Sequence, residues 1–368
     1  MNGRRIFLSP PWTGEEERAM VSKAFDSGYV APCGPMVEAF EESLARLSGR
    51  RFAVAVSGGT AALDLAAAHL GIDRSWTVVA PSLTFVATVG PAWHRGARLV
   101  FLDSAEDGNV DCSLLDDALV EAARQTPGKV LFIGVDLYGR CCDYAAVSRI
   151  CEERGALFII DSAEAVGAES AGRPAGSAGV AGVYSFNGNK IATTSGGGAL
   201  VTDDPSFAAH VRSLSQQSRE RFPWYEHREV GYNYRMSNIV AAIGIAQVGK
   251  LPEILRRRRE IKERYLAIPG LRLLPPVPGE NNWLSVALMP GMESRDALLD
   301  ALEKADIETR PVWKPMHLQP VFKDCKVYGG EVSQRLFERG ICLPSGSGLD
   351  DADFARIEET ICTQLSRM

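Results

Sequence analysis

The chain has 368 residues, with 40 Lys and Arg against 46 Asp and Glu, and a formal net charge of −6. Hydrophobic residues make up 46% of it and charged residues 23%, which excludes a disordered chain and predicts a soluble globular protein with a large core. The mildly acidic balance offers no general field for nucleic acid or an anionic membrane. The N-terminus shows no signal-peptide pattern and the apolar runs are short and interrupted, so we expect a cytoplasmic protein without a membrane span.

Short apolar segments rich in β-branched residues alternate with amphipathic segments along residues 1–250. Apolar character on both faces is typical of strands in a sheet that is covered on both sides. The predicted strands are 53–56, 77–80, 98–102, 130–135, 156–160, 182–186 and 199–201. The predicted helices between them are 60–70, 85–94, 112–124 and 144–154. This alternation predicts a large α/β domain with a mostly parallel sheet over residues 1–250.

The pattern changes after Gly231. A long helical stretch covers 237–268, where Pro252 should kink or split it. A proline-rich linker at 269–278 follows, then a strand at 282–288 and helices at 294–305, 331–339 and 351–365. Residues 251–368 are therefore predicted to form a small C-terminal α+β domain.

The run of four arginines at 256–259 can be interpreted in two ways. It could bind nucleic acid, or it could form a solvated helix face with charge pairs four residues apart. We favour the solvated face because the net charge is negative and no aromatic residues are interleaved with the arginines. No nucleic-acid partner is expected.

The eight cysteines include no C-x-x-C pair, and the five histidines show no metal-ligand spacing. In a chain of this length they predict reduced thiols and no metal site.

Three segments carry candidate chemistry. Ser57-Gly58-Gly59-Thr60 lies between a strand and a helix, where free N–H groups can hold a phosphate, although a plain turn would look the same. Asp161 ends an apolar strand, where it could hold a ligand or cap a helix. Lys190 follows another strand end and, taken alone, would be an ordinary surface lysine.

Taken together, these segments favour one cofactor. Pyridoxal phosphate needs a phosphate cradle, a carboxylate opposite its ring nitrogen and a lysine that forms a Schiff base. A dinucleotide cofactor is disfavoured because neither G-x-G-x-x-G nor a P-loop motif is present.

The sequence also resembles the DegT/DnrJ/EryC1/StrS sugar aminotransferases over nearly its whole length. The segments that carry the resemblance are 81–88 (PSLTFVAT), 161–167 (DSAEAVG), 185–190 (SFNGNK), 193–198 (TTSGGG), 231–238 (GYNYRMSN), 310–317 (RPVWKPMH) and 342–347 (CLPSGS). The SFNGNK segment, with YVAPCGP at 29–35, is similar to the branch that includes UDP-bacillosamine-pathway transaminases and EpsN-like proteins.

The resemblance implies a fold-type I aminotransferase that binds pyridoxal 5′-phosphate and forms a homodimer with shared active sites. Lys190 would form the Schiff base, Asp161 would hold the pyridine nitrogen, Glu164 would lie near the phenolic oxygen and Phe85 would stack on the ring. The other implied cofactor-binding residues are Gly58, Gly59, Thr60, Ala163, Ser185, Asn187 and, from the neighbouring subunit, Asn233. The implied substrate-binding residues are Arg310, Trp313 and His317.

Four positions depart from the family pattern. Gly58 stands where many relatives have Ser, Glu164 replaces a frequent Gln, Cys33 a common Leu, and Gly348 a usual Asn. Relatives that act as sugar 3-dehydratases carry His at the lysine position, so Lys190 argues against that activity.

The resemblance implies transamination of a nucleotide-linked 4-keto-6-deoxy-hexose with L-glutamate as amino donor, in glycan biosynthesis. The specific expectation is a UDP-2-acetamido-4-keto-2,6-dideoxyhexose. The alternatives are another pyridoxal phosphate-dependent reaction on a sugar, such as a dehydratase or lyase, and a non-catalytic sensor that only binds the cofactor.

Overall fold

The computed structural model describes residues 4–367. The α-helices in this part of the chain are α1 (Glu15–Asp26), α2 (Pro35–Ser48), α3 (Gly59–His69), α4 (Gly90–His94), α5 (Cys112–Gln125), α6 (Tyr144–Arg154), α7 (Pro205–Ser215), α8 (Asn238–Leu266), α9 (Met292–Lys304), α10 (Glu331–Arg339) and α11 (Asp351–Leu365). The strands are β1 (Phe52–Val56), β2 (Thr77–Pro81), β3 (Arg98–Leu102), β4 (Val130–Val135), β5 (Leu157–Asp161), β6 (Glu169–Ser170), β7 (Arg173–Pro174), β8 (Ala181–Ser185), β9 (Gly198–Thr202), β10 (Ser285–Leu288), β11 (Arg310–Pro311), β12 (Lys326–Tyr328) and β13 (Gly340–Leu343).

The central sheet has eight strands in the order β1-β9-β8-β5-β4-β2-β3-β12. All neighbours from β8 to β12 pair in parallel, whereas β9 is antiparallel to both β1 and β8. Strands β2, β4, β8 and β9 are buried along their whole length, as strands covered on both faces must be. The predicted α/β fold with a mostly parallel sheet is therefore confirmed, and every strand predicted within residues 1–250 lies in this sheet.

Two hydrophobic layers cover the sheet. On one face Phe132, Phe158 and Phe186 pack beneath α2, α5, α6 and α8. On the other face Val78 and Leu200 pack beneath α3, α4 and α7. A third cluster, with Ile6, Tyr265 and Phe354, forms the core around the small sheet β10-β13-β11. The sheet thus presents the ends of its strands, rather than a face, to any ligand.

Several helices differ from the sequence prediction. The helix predicted at 85–94 is a 3₁₀ turn at Val86–Thr88 followed by α4, which begins at Gly90–Pro91. Helices α1, α2 and α7 were not predicted, although α2 has a proline in its first turn and Gly49 at its C-cap, and α7 has Asp204 as its N-cap. These are ordinary start and stop signals.

Helix α8 runs unbroken through Pro252, so the predicted split is wrong. Proline removes one backbone hydrogen bond, but Leu251 and Ile254 on either side of it are buried and hold both halves against the core. By length and composition α8 is also the one helix in the described chain that could cross a membrane. It packs against α1 and α2, and buried core helices pass the same test.

The arginine run at the C-terminal end of α8 is not a uniformly solvated face, which corrects the expectation. Arg256 and Arg257 pair with Glu260, at the exposed side of the helix. Arg258 is instead 2% exposed, and it donates to Trp283 O at 2.8 Å and to the hydroxyls of Ser347 and Ser9 at 3.0 Å each. Burial of this guanidinium lowers its pKa to about 9.

The two parts of the chain interlock across the predicted domain boundary at residue 250, and the division itself stays a prediction. Helix α8 crosses that point. Strand β12 pairs with β3 at the edge of the central sheet, and Ile6 bridges to Ile307. The cavity described next lies where these two parts meet.

Candidate active site

A cavity of about 1120 Å³ opens at the carboxyl ends of the parallel strands, where open α/β sheets bind their ligands. Asp161 ends β5, Ser185 ends β8, and Gly58 follows β1. The predicted site residues that line the cavity are Gly58, Gly59, Thr60, Phe85, Asp161, Ala163, Glu164, Ser185, Asn187, Lys190, Arg310 and Trp313. Predicted site residues as far apart in sequence as Gly58 and Trp313, 255 positions, therefore line one cavity.

Lys190 lies inside this cavity, so the interpretation as a surface lysine is wrong. Its Nζ is 3.3 Å from Glu164 Oε1, and its side chain is 13% exposed. The ring of Trp283 lies 4.3 Å from Nζ. The preceding peptide is held as well, because Asn189 O accepts hydrogen bonds from Ser9 Oγ and Trp283 Nε1, each at 2.8 Å. The lysine amine is thus aimed into the cavity from a fixed loop.

Asp161 is 6% exposed, and burial raises the pKa of its carboxyl. Its two oxygens accept hydrogen bonds from Thr88 Oγ1 at 2.8 Å and from the Ala163 N–H at 3.1 Å. Within residues 4–367 its carboxylate forms no ion pair. It also caps no helix in this part of the chain, because β5 is followed by a turn. A buried carboxylate with these neutral donors fits a protonated ring nitrogen, whose positive charge would compensate for the desolvation.

Glu164 is 4% exposed, and burial raises its pKa also. Oε2 accepts the backbone N–H of Tyr138 at 2.6 Å, and Oε1 faces Lys190. Asn281 Nδ2 donates to the carbonyl oxygens of Glu164 and Val166, which fixes the turn that carries the carboxylate. Asp161 and Glu164 therefore have different partners, one a hydroxyl and the other a lysine.

The glycine turn before α3 has the shape of an anion cradle. Its N-cap, Gly58, has no side chain to bond the first N–H groups of the helix, which remain available to a phosphate. The turn is closely packed: a Cβ on Gly59 would lie 3.1 Å from Ser185 Cβ, and one on Gly198 would lie 2.3 Å from the Gly58 carbonyl carbon. With Thr60, Ser185 and Asn187 around it, the turn fits the phosphate of the predicted cofactor.

The opposite side of the cavity is formed by Phe85 and the segment 310–314. Phe85 is 56% exposed and its ring lies 5.6 Å from the Trp313 ring, while its stacking on the cofactor ring stays a prediction. Arg310 pairs with Glu308 at 2.8 Å and keeps a 64% exposed side chain, and Lys314 is exposed beside it. This side offers aromatic faces and two cations, which suits a large anionic ligand.

Two predicted site residues lie outside the cavity lining. His317 Nδ1 is 2.6 Å from Ser82 Oγ, and burial lowers the pKa of the imidazole. Asn233 is exposed on the segment before α8, where its backbone bridges to Gln216. A direct role for either residue toward its own chain's ligand has no support from this geometry.

Sequence reasoning missed several residues of the site. Ser9, Trp283 and Glu308 line the cavity from distant segments and nothing local marks them, whereas Cys342, which also lines it, opens the 342–347 motif. Tyr138 lies just after the end of β4, so its strand-end position was a usable signal. Asp136, two positions before Tyr138, does not line the cavity: it is buried, accepts from Tyr144 Oη and the Cys142 N–H, and has its pKa raised by burial to about 7.

Comparison with known proteins shows the family of this chain. Residues 11–362 match the sequence model of the DegT/DnrJ/EryC1/StrS aminotransferase family. EpsN of Bacillus subtilis (strain 168), provisionally named a pyridoxal phosphate-dependent aminotransferase, is 40% identical, and the match covers 97% of this chain and 95% of EpsN. GDP-perosamine synthase of Caulobacter vibrioides (strain ATCC 19089 / CIP 103742 / CB 15) is 34% identical over 96% of each chain. The pyridoxal phosphate form of Spr1654 from Streptococcus pneumoniae, provisionally named a sugar aminotransferase, superposes with a TM-score of 0.90 at 25% identity over 99% of each chain.

Proposed function

We propose that this chain, which belongs to the DegT/DnrJ/EryC1/StrS aminotransferase family, transfers an amino group from L-glutamate to C4 of a nucleotide-linked 4-keto-6-deoxy-hexose. It is an aminotransferase and its cofactor is pyridoxal 5′-phosphate. The observation that carries the substrate proposal is the contrast within one cavity, with buried carboxylates and a lysine at one end and exposed aromatic and cationic groups at the other. The exposed end, with its aromatic and cationic groups, suits the nucleotide base, the diphosphate and the sugar of such a substrate.

The residues at the buried end fit the cofactor, and each has a task there. Pyridoxal phosphate, when bound, supplies an electron-accepting ring that stabilises negative charge on the carbon that loses its proton. The glycine turn would hold the phosphate and Asp161 would keep the ring nitrogen protonated. Lys190, with its amine directed into the cavity, would move the proton as general base and acid. Glu164 orients that amine across 3.3 Å.

Two nucleotide sugars are the candidate substrates. A UDP-2-acetamido-4-keto-2,6-dideoxyhexose is the first candidate, on the motif resemblance to the bacillosamine-pathway branch. A GDP-linked 4-keto-6-deoxy-hexose is the second candidate, because a GDP-perosamine synthase is 34% identical over nearly the full length. Both sugars would place their diphosphate near Arg310 and Lys314. We place the reaction in the cytoplasm, and the unpaired state of all eight cysteines fits a reducing compartment.

Turnover of the two nucleotide sugars tests the proposal directly. The purified protein with pyridoxal phosphate and L-glutamate should form 2-oxoglutarate and 4-amino sugar in equal amounts, with ping-pong kinetics. Loss of water from the sugar without 2-oxoglutarate would show a dehydratase instead. A cofactor spectrum that neither glutamate nor sugar changes would show a protein that only binds the cofactor.

We propose in addition that the active site is shared between two subunits, with Asn233 reaching the neighbour's phosphate. Asn233 is exposed and absent from its own chain's cavity, and the adjoining loop exposes Trp224, Tyr225 and Val230. An exposed aromatic loop of this kind is typical of an interface. Loss of one donor to a phosphate should weaken cofactor binding by about 10- to 100-fold in Asn233→Ala.

Mixing two impaired variants tests whether each active site uses residues from both subunits. In a heterodimer of Asn233→Ala and Lys190→Ala, one site would carry both lesions and the other neither. Activity should therefore reappear at up to about half of the wild-type level per heterodimer. No recovery of activity above that of the two parents after verified subunit exchange would mean that Asn233 serves its own chain or that the protein acts as a monomer.

A further inference from the structure

We infer that Tyr138 is a positioning residue that ties Glu164 to the substrate segment, which we define as residues 310–314. This inference rests on the proposed function, because it assigns the substrate segment to the nucleotide sugar. Tyr138 follows β4 and is 1% exposed. Its backbone contacts the lysine side of the cavity and its hydroxyl contacts the sugar side.

The backbone of Tyr138 adopts a conformation that tyrosine rarely takes. Its φ and ψ are 53° and 30°, in the left-handed region, where a side chain with a Cβ is disfavoured. Gly139 continues the turn at φ 84°, and a Cβ there would lie 1.7 Å from Asn281 Oδ1. The turn directs the Tyr138 N–H to Glu164 Oε2 at 2.6 Å. The surrounding contacts therefore hold a strained residue at the site, and its N–H orients the carboxylate that faces Lys190.

The side chain of the same residue reaches the opposite wall. Its hydroxyl oxygen accepts the backbone N–H of Trp313 at 3.1 Å, across 175 positions of sequence. The Tyr138 ring packs 5.1 Å from the Trp313 ring and 6.2 Å from the Trp283 ring. The thiol of Cys342, on β13, is the hydroxyl's other neighbour. The hydrogen bond from Trp313 therefore fixes the backbone of the substrate segment at that residue.

The backbone and the side chain of Tyr138 are therefore expected to have separate roles. The backbone N–H binds Glu164, beside Lys190, and this contact does not depend on which side chain residue 138 carries. The hydroxyl contacts the substrate segment and the Cys342 thiol, and Trp313 in turn contacts the ring of Phe85. Burial raises the pKa of the phenol well above its ordinary value, so the hydroxyl stays neutral and keeps its proton across the physiological range.

Tyr138→Phe removes one oxygen and leaves the turn and the ring packing in place. Hydrogen exchange of peptides that contain the Trp313 amide should become faster in the substrate-free holoenzyme, because that amide loses its acceptor. The KM for the nucleotide sugar should rise about 2- to 10-fold, the range of one neutral hydrogen bond. The single-turnover rate with L-glutamate alone should stay at the wild-type value.

Tyr265→Phe is the matched control. Its hydroxyl is also buried and donates to Pro344 O at 2.7 Å, outside the cavity lining. It should leave both Trp313 exchange and the sugar KM unchanged.

The inference is overturned if Tyr138→Phe leaves Trp313 exchange or the sugar KM unchanged, or if it slows the glutamate step as much as the sugar step. A wild-type enzyme without turnover on either nucleotide sugar would instead refute the proposed function, and the role of Tyr138 toward the sugar with it.

Discussion

The two ends of the cavity are built differently, and the difference matches their tasks. At the lysine end, Asp161 and Glu164 are 6% and 4% exposed and each accepts hydrogen bonds from fixed donors. At the substrate end, the Arg310 side chain is 64% exposed, and Lys314 is exposed beside it. Groups that share protons with a cofactor must be held in one geometry. Groups that receive a large, solvated ligand can remain mobile until it binds.

This contrast predicts that substitutions at the lysine end abolish chemistry, whereas those at the substrate end weaken sugar binding. A buried group that does not line the cavity, such as Asp136, should in contrast have no role in the reaction. Four substitutions test it, in order of decreasing effect on activity.

Lys190→Ala should have the largest effect, because no other lysine amine lies beside Glu164 to move the proton. We expect activity to fall by at least about 100- to 10,000-fold, the usual contribution of a positioned acid–base group, in a protein that remains folded. Steady-state rates and circular dichroism check both points. The comparison variant is Lys314→Ala at the exposed end, which should change sugar KM alone; equal losses in the two variants would contradict the contrast.

Asp161→Asn should reduce the rate of both half-reactions by about 10- to 100-fold, the loss of one hydrogen bond to a charged group. An amide cannot stabilise a protonated ring nitrogen as a carboxylate does. Single-turnover rates with glutamate and with the keto sugar measure each half. Asp136→Asn is a control just after the neighbouring strand β4, since Asp136 is also buried but does not line the cavity. Near-normal rates for Asp161→Asn would mean that this carboxyl only stabilises its turn.

Arg310→Gln should raise the KM for the nucleotide sugar by about 3- to 10-fold with little change in kcat. The effect is limited because its guanidinium is exposed, and exposed charges are screened by water and salt. Initial rates at varied sugar concentration provide both constants. Arg335→Gln, which breaks an ion pair with Glu106 outside the cavity, should leave them unchanged. A fall in kcat without a change in KM would place Arg310 in the chemistry instead.

Asp136→Asn should leave activity unchanged and alter only how stability depends on pH. Burial raises the pKa of Asp136 from 3.8 to about 7, so between these values the folded chain holds a proton that the unfolded chain does not. Stability therefore falls as pH rises through this window, by at most about 1.4 kcal/mol per pH unit from this group. The asparagine variant cannot ionise and should lose this decline.

Urea unfolding at pH 5, 6 and 7 measures that slope. Asp143→Asn, at an exposed helix N-cap, is the control that should retain it. Parallel slopes for the Asp136 variant and the wild type would show that Asp136 stays ionised in the folded protein.

Local patterns were sufficient for much of the molecule. Strands 98–102 and 130–135 and helix α6 have the predicted bounds, because apolar runs and amphipathic periodicity follow directly from which faces must be buried. Asp161 and Lys190 were predicted from their strand-end positions and from motif resemblance, and the structure brings both into one cavity. Their roles toward the cofactor stay predictions that the variants above test.

Tertiary structure decided what depends on distant partners. Pro252 lies inside one continuous helix and Arg258 is buried, because packing against the core outweighs a local propensity and a charge pattern. Strand β12 joins the edge of the central sheet by pairing with β3, whose Val100 lies 226 positions before its partner Lys326. The hydrogen bond between Tyr138 and Trp313 spans 175 positions. Sequence determined the elements and the chemical groups at their ends, whereas only the folded chain decided which groups share a cavity, since contacts between distant segments leave no local periodicity to detect.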